Sequence, residues 1–304
     1  MFTLGELTGV LPALISPLRS DGKIDEAGVS RLVEHVIDGG VHGLLALGST
    51  GETASLDEIA RRTLLSNVVA AAAGRVPVFC GVAQPHLPAA RIEVEAAARL
   101  GAVAALVTPP FYYLIDQATL LAFYRALARD SPLPILLYNI PQFTKIVAEP
   151  ATVATLAREG TIAGIKDSSR DFEYFEGVCI ATRDLPGFRI FTGSDTMLLP
   201  SLAMGGAGTI CGAANVAPGW VVRIFDDFRR SDMAAARADQ DMLYQLVMAL
   251  RGGVFPAAIK AACHAQGICE PWCAAPVAPL DEQGEARLRD QLLAWGLLTP
   301  AARR

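Results

Sequence analysis

The sequence contains no long apolar run, no run of like charge and few histidines, and each absence excludes a class of protein. No apolar stretch in the 304 residues reaches the roughly 18 to 20 residues of a membrane span. The net charge is −5 and the 26 basic residues are scattered, which argues against a nucleic-acid or membrane surface. The histidines do not cluster with acids or cysteines at ligand spacing, so we expect no metal site. They are His35, His42, His86 and His264.

The first residues, "MFTLGELTGVLPALISPLRSDGK", also lack the basic region and small-residue cleavage site of a secretory signal. We therefore expect a soluble, cytoplasmic protein. The cysteines are Cys80, Cys179, Cys211, Cys263, Cys269 and Cys273. Three of them fall in predicted barrel elements, where a free thiol acts as a small hydrophobe. The spacing in "CEPWC" (269–273) has no well-attested zinc or redox use, so structural or incidental roles are expected for the cysteines.

Short apolar runs alternate with amphipathic stretches along the chain. Eight of these runs are predicted strands, and they begin at Gly9, Gly43, Pro77, Ala104, Pro134, Ile162, Arg189 and Gly208. Their starts lie roughly 19 to 34 residues apart, and a (β/α)8 barrel of about 250 residues needs about 31 per unit. A doubly wound open sheet uses the same alternation, but the count of eight favours the α/β TIM barrel.

The segments between the strands have the spacing of helices. The stretch from Val29 to Ile37 keeps apolar residues at i, i+3, i+4 and i+7. "SLDE" (55–58) predicts a capping box that begins at Ser55. The strand signal ends near residue 230. We predict a catalytic barrel over residues 1–230 and a C-terminal helical extension over residues 231–304, which is too short for a large core of its own.

Active sites of such barrels lie at the C-terminal ends of the strands, so polar residues that follow the predicted strands are the candidates. They are Ser49, Thr50 and Glu52 after the second strand, Tyr112 and Tyr113 after the fourth, Tyr138 and Asn139 in the fifth, Lys166 and Asp167 in the sixth, and Ser194 and Asp195 after the seventh. Hydroxyls, phenols and one lysine on a single face favour carbonyl chemistry without a metal.

Lys166 ends a short apolar run in "AGIKDSSRD" (163–171). An apolar pocket disfavours the charged form of an amine, and a neutral amine attacks a ketone to form a Schiff base. The phenol of Tyr138 would then transfer protons. Two other interpretations remain open for Lys166: it extends to solvent, or it pairs with Asp167.

The other candidates also have alternatives. "GSTGE" (48–52) is either a phosphate-binding loop, although it lacks the ending of a P-loop, or a tight turn. "TPPFYY" (108–113) is either functional or an aromatic plug. Tyr138 could be a core tyrosine whose hydroxyl has a partner.

Four motifs in order resemble the dihydrodipicolinate synthase and N-acetylneuraminate lyase superfamily. They are "GSTGE" (48–52), "TPPFYY" (108–113), "YNIP" (138–141) and "GIKDSS" (164–169). The resemblance extends from about Gly9 to Gly267. It implies a class I pyruvate-dependent aldolase without a cofactor, on a (β/α)8 barrel with a three-helix extension. It also implies a homotetramer built as a dimer of dimers.

The resemblance implies roles for single residues. Lys166 matches the Schiff-base lysine, and Tyr138 matches the phenol that passes protons. Ser49 and Thr50 match hydroxyls that bind the pyruvate carboxylate and relay protons. Ile210 corresponds to a residue whose backbone faces the keto acid.

A further position concerns the neighbouring subunit. Tyr112 matches a tyrosine that reaches into that subunit's site. Tyr113 is the alternative, because the extra proline in Pro109–Pro110 shifts the match by one residue.

Departures from the family pattern concern the substrate. Dihydrodipicolinate synthases carry a carboxylate-binding arginine where this chain has Phe143, and a phenyl ring offers no bidentate donors. Lys145 is a nearby cation that would compensate in part. Sialic acid lyases resemble the chain in "GSTGE", but they have an Asp-Glu pair where this chain has Asp195 and Thr196. "ICGAAN" (210–215) also lacks their serine-rich turn.

These observations predict a cofactor-free lyase that binds pyruvate, or a 2-keto acid containing it, on Lys166. Its leading reaction is reversible cleavage of a 2-keto-3-deoxy sugar acid, such as 2-keto-3-deoxygluconate, to pyruvate and an aldehyde. The alternatives are dihydrodipicolinate synthase, a deaminating or dehydrating relative, a metal-dependent class II aldolase and a non-catalytic barrel that binds a keto acid. No nucleic-acid or membrane partner is expected.

Overall fold

Eight parallel strands form the centre of the protein, whose computed structural model describes residues 7–298. The strands are β1 (Gly9–Pro12), β2 (Leu44–Ala46), β3 (Val78–Val82), β4 (Ala104–Val107), β5 (Ile135–Asn139), β6 (Gly164–Asp167), β7 (Arg189–Thr192) and β8 (Gly208–Cys211). β1 pairs with β8, and the pairing continues strand by strand to β2. A parallel bridge between Ala13 and Leu45 joins the two ends of the sheet. The predicted TIM barrel is confirmed, and an open doubly wound sheet is excluded.

Helices connect the strands and follow the barrel. They are α1 (Glu26–Asp38), α2 (Glu58–Ala72), α3 (Leu87–Arg99), α4 (Gln117–Ala128), α5 (Pro141–Thr144), α6 (Pro150–Arg158), α7 (Phe172–Ala181), α8 (Leu198–Ala203), α9 (Pro218–Arg229), α10 (Met233–Ala249), α11 (Ala257–Ala265) and α12 (Glu282–Ala294). Helix α10 packs against α8 and α9, and α11 packs against α12. The predicted division after residue 230 falls in the turn between α9 and α10.

The predicted capping box at Ser55 is wrong. Ser55 ends a short 3-10 turn (Thr53–Ser55), and α2 begins at Glu58. Asp57 caps this helix, because its Oδ1 accepts a hydrogen bond of 2.7 Å from the Ala60 backbone N–H. Aspartate caps a helix as well as serine does, so the local sequence offered two start positions.

Alternation along the strands separates two apolar layers. Inward-facing residues such as Leu11, Phe79 and Phe191 fill the barrel, while outward-facing ones such as Ile165 pack under the helices. Lys166 follows Ile165 and therefore points into the barrel. Lys166 lies near the C-terminal end of β6, where the apolar interior of the barrel gives way to the polar side chains at the strand ends.

Candidate active site

A cavity of about 510 Å³ opens at the C-terminal ends of the strands. Seven of the eight predicted site residues line it: Ser49, Thr50, Tyr138, Phe143, Lys166, Asp195 and Ile210. They come from five different strands or the segments that follow them, so the barrel brings together residues that lie far apart in sequence. We call this space the central cavity.

Lys166 is held on the inner face of β6 with only 3% of its surface exposed. It lies opposite Tyr138 of β5 in the register of the two strands. Its Nζ donates a hydrogen bond of 3.2 Å to the Tyr138 hydroxyl and lies 4.4 Å from the centre of that ring. A primary amine and a phenol, two groups that can exchange a proton, are therefore in direct contact.

Asp167 is not the partner of Lys166. Its side chain accepts hydrogen bonds from Asn139 Nδ2 at 2.8 Å and from the Ser169 hydroxyl at 2.9 Å. Burial raises the pKa of Asp167, and the hydrogen bonds from Asn139 and Ser169 oppose that shift. The interpretation of Lys166 as one half of an ion pair with Asp167 is therefore wrong. Asp167 instead fixes the turn that follows β6.

A glycine makes room for the lysine. A Cβ atom at Gly193 would lie 2.7 Å from Lys166 Cε and 2.0 Å from the Ser168 hydroxyl oxygen. Any larger residue would force the side chains of Ser168 and Lys166 to shift. No local sequence pattern indicates this contact, because it joins β6 to the residue after β7.

The loop after β2 presents the paired hydroxyls. Thr50 is buried and Ser49 is half-buried, and both line the central cavity. Gly51 allows the loop to turn closely, since a Cβ there would lie 3.0 Å from the Leu14 carbonyl oxygen. The Ser16 hydroxyl donates a hydrogen bond of 2.6 Å to the Gly51 carbonyl oxygen. The turn is therefore tied to the segment after β1.

Asp195 and Ile210 come from the two strands that follow β6 in the barrel, since Asp195 comes after β7 and Ile210 lies on β8. Ile210 is fully buried on β8. The Asp195 Oδ1 accepts a hydrogen bond of 2.9 Å from the Ala213 backbone N–H. Burial raises the pKa of Asp195, and this hydrogen bond opposes the shift. Asp195 therefore links the loops that follow β7 and β8.

Phe143 lies on the short helix α5 at the cavity wall, with 57% of its surface exposed. No guanidinium is available at this position. Lys145 does not replace it, because its Nζ donates to the Gln142 carbonyl oxygen at 2.9 Å and Lys145 is not among the cavity-lining residues. Phe143 therefore contributes a phenyl ring and no cation to the wall, which also includes the amide of Gln142.

Tyr112 is the one predicted site residue that does not line the central cavity. It is 86% exposed and has a left-handed backbone, with φ of 85°. Its ring meets the Tyr113 ring edge-on, with the centroids 5.0 Å apart. Both tyrosines project from the loop between β4 and α4.

Several cavity residues were not singled out from the sequence. Arg170 follows the turn after β6, and Arg251 and Phe255 come from the segment between α10 and α11. The extension therefore contributes part of the wall. No periodicity marks these residues, because Arg170 lies in a turn and the place of Arg251 and Phe255 depends on how the extension packs on the barrel.

Within residues 7–298, no group of three or more His, Cys, Asp or Glu side chains has the arrangement of a metal site. No helix in that range is long and apolar enough to cross a membrane. All six cysteines are free, and five of them are buried.

Comparison with known proteins gives a consistent result. Residues 6–294 match the model of the dihydrodipicolinate synthetase family. A 4-hydroxy-tetrahydrodipicolinate synthase of Salinibacter ruber is 37% identical over 285 residues, covering 92% of this chain and 93% of that protein. An uncharacterised DapA-like lyase of Halobacterium salinarum is 34% identical over 292 residues, covering 96% and 95%.

A solved structure has the same fold. YagE, a prophage protein of the dihydrodipicolinic acid synthase family from E. coli K12, was crystallised with pyruvate. It superposes with a TM-score of 0.92 at 29% identity, covering 96% of this chain and 99% of that one.

Proposed function

Because this chain belongs to the dihydrodipicolinate synthetase family, we propose that it is a lyase in which Lys166 binds pyruvate as an imine. The observation that carries the proposal is the buried contact of 3.2 Å between Lys166 Nζ and the Tyr138 hydroxyl. Pyruvate in the YagE crystal supports the choice of keto acid. Ser49 and Thr50 would hold the pyruvate carboxylate.

The reaction runs through the imine. The neutral amine of Lys166 attacks C2 of a 2-keto acid, and the keto oxygen leaves as water. Tyr138, which has given its hydroxyl proton to the departing water, then accepts the proton of the C4 hydroxyl, and the C3–C4 bond breaks with its electron pair moving into the iminium. An aldehyde leaves, the resulting enamine takes up a proton at C3, and water releases pyruvate. In the leading reaction the substrate is a 2-keto-3-deoxy sugar acid such as 2-keto-3-deoxygluconate.

A second candidate is 4-hydroxy-tetrahydrodipicolinate synthase, because the Salinibacter ruber relative with that name is 37% identical. That reaction condenses pyruvate with aspartate semialdehyde. Phe143 argues against it, since a phenyl ring at that position offers no donors for the carboxylate of the aldehyde.

The two functions are separated by product analysis. Pure enzyme is incubated with 2-keto-3-deoxygluconate and the pyruvate released is measured, and a second sample receives pyruvate and aspartate semialdehyde. We expect release of pyruvate in the first and little heterocycle in the second. Efficient heterocycle formation without cleavage of the sugar acid would instead select the synthase.

We also propose a homotetramer, a dimer of dimers, in which Tyr112 enters the neighbouring subunit's site. Its exposure and its absence from its own cavity support this. A mixture of inactive Lys166→Arg chains and impaired Tyr112→Ala chains, unfolded and refolded together, should recover activity that neither has alone. A site with an intact lysine then receives an intact tyrosine from its neighbour. No recovery, or recovery only with Tyr113→Ala in place of Tyr112→Ala, would contradict the role of Tyr112.

A further inference from the structure

We propose that the central cavity has a second anion site, formed by Arg170 and Arg251, for a carboxylate or phosphate at the far end of the aldehyde half of the substrate. This rests on the proposed imine at Lys166 and extends it by naming the substrate class. Within the proposed class of 2-keto-3-deoxy sugar acids, the substrate would be one that carries a second anionic group at its far end, in place of 2-keto-3-deoxygluconate itself.

The charge of the cavity supports this assignment. Among the described residues, its lining contains three basic side chains, Lys166, Arg170 and Arg251, and one acidic side chain, Asp195. When Lys166 binds a keto acid, the carboxylate of that acid balances the iminium. The two arginines then face a single carboxylate, that of Asp195, which already accepts a hydrogen bond from the Ala213 N–H. A positive charge is left over for another anion.

Neither guanidinium is occupied by a carboxylate. Arg170 has no hydrogen bond or ion pair with any residue in the range 7–298. Arg251 makes one weak side-chain contact, from Nη1 to Met248 Sδ at 3.6 Å. Both are exposed to solvent at the cavity wall. Free guanidinium groups provide the forked donors that carboxylates and phosphates prefer.

The backbone at Arg170 adds a second observation. Its φ is 65°, a left-handed conformation that glycine adopts at little cost and arginine rarely adopts. The residues on both sides are fixed, because Ser169 N–H donates to Asp167 Oδ1 and Asp171 N–H donates to the Ser169 hydroxyl oxygen. The turn thus places an arginine side chain where a glycine would fit better. A binding role for that side chain explains its presence.

The position of the arginines also fits the substitution at residue 143. Phe143 removes a carboxylate receptor from α5, while Arg170 and Arg251 line the same cavity from the turn after β6 and from the extension. The anion would therefore be bound by different elements, and the aldehyde carrying it would have a different length or direction.

The test measures anion binding separately from imine formation. Protein is first reduced with borohydride in the presence of pyruvate, and its intact mass reports whether the imine forms. The trapped protein is then titrated with two anionic probes, glycerol 3-phosphate and 4-hydroxybutanoate, and with their neutral counterparts, glycerol and 1-butanol. These probes have no aldehyde, so binding is measured without turnover.

We expect one anionic probe to bind at least about tenfold more tightly than its neutral counterpart. Arg170→Gln and Arg251→Gln should each weaken that binding about tenfold, as the loss of one charged hydrogen bond does. The double variant should bind the anion no better than the neutral probe. Arg237→Gln is the matched control, because Arg237 is exposed on α10 and does not line the cavity. If the arginine variants lose affinity for glycerol 3-phosphate, the site binds a phosphate; if they lose affinity for 4-hydroxybutanoate, it binds a carboxylate.

If a pyruvate adduct forms but the anionic and neutral probes bind with equal affinity, the anion site is overturned and the imine is not. The same holds if the double variant binds the anionic probe with wild-type affinity. If no adduct forms, the proposed function fails. Loss of anion affinity in the unreduced arginine variants would then still show the anion site.

Discussion

Replacing Lys166 with arginine should abolish the covalent capture of pyruvate. Arginine keeps the positive charge, but its guanidinium stays protonated and is not a nucleophile. We expect aldol cleavage to fall by at least about 10³-fold, as when the nucleophile of a covalent mechanism is removed. Reduction with borohydride in the presence of pyruvate, followed by intact mass and peptide mapping, should show one pyruvyl group on wild-type Lys166 and none on the variant.

The chain is well suited to this experiment because it has four lysines. Lys23 and Lys145 are exposed, and Lys260 is fully buried in an ion pair with Glu52. An adduct at either exposed lysine would indicate non-specific labelling and would contradict the assignment. Lys166→Met serves as a second variant in case arginine does not fit beside Gly193.

Tyr138→Phe is the matched control, since it removes a hydroxyl but leaves the amine and the ring. We expect it still to form the adduct, only more slowly, and to lower kcat by about 10²-fold or more through the loss of proton transfer. If Tyr138→Phe formed the adduct and cleaved substrate at the wild-type rate, the contact between Lys166 and Tyr138 would have no catalytic role.

The strands and the lysine could be predicted from the sequence because both depend on local pattern. Each barrel strand is a short apolar run between amphipathic stretches, and the active-site end follows from the direction of the strands. Lys166 and Tyr138 each lie at the end of such a run, so the fold alone brings them to one face. The barrel could therefore be predicted without knowledge of any distant contact.

The remaining contacts join residues that no local pattern relates. Arg251 reaches the cavity because α10 packs against α8 and α9, and Gly193 matters because it faces a side chain from another strand. The predicted start of α2 was also wrong, since Ser55 and Asp57 are both good capping residues. The 3-10 turn at Thr53–Ser55 makes Asp57 the cap. Glu52 belongs to the motif "GSTGE" (48–52), but no local pattern in the sequence predicts the residue with which it forms an ion pair.

That partner gives the second large expected effect. Lys260 on α11 has no exposed surface, and its Nζ forms an ion pair with Glu52 Oε2 and donates 2.6 Å to the Trp272 carbonyl oxygen. Glu52 Oε1 accepts a hydrogen bond of 2.7 Å from the Ala274 backbone N–H. Lys260→Met would leave the Glu52 carboxylate buried without its cation. Breaking such a pair costs about 3 to 5 kcal/mol, so the urea midpoint of unfolding should fall clearly.

The double variant Glu52→Gln with Lys260→Met isolates the pair. It removes both charges while the amide oxygen of glutamine can still accept from Ala274 N–H. Its loss of unfolding free energy should be smaller than the sum of the single losses by about 0.5 to 3 kcal/mol. The exposed pair of Arg75 and Glu34 provides the comparison, and Glu34→Gln should shift the midpoint little because solvent screens that pair.

The same pair should also affect the reaction, because Glu52 lies two residues after Thr50 in the loop that presents the hydroxyls. If the pair positions that loop, Glu52→Gln at a temperature where it remains folded should raise KM for the keto acid more than it lowers kcat. Since Ser49 and Thr50 would hold the carboxylate, their displacement weakens binding before it slows bond cleavage. A variant with reduced stability but unchanged KM would show that the ion pair holds the extension to the barrel without positioning the hydroxyls. An unchanged urea midpoint for Lys260→Met would show that the attraction only balances the cost of burying the two charges.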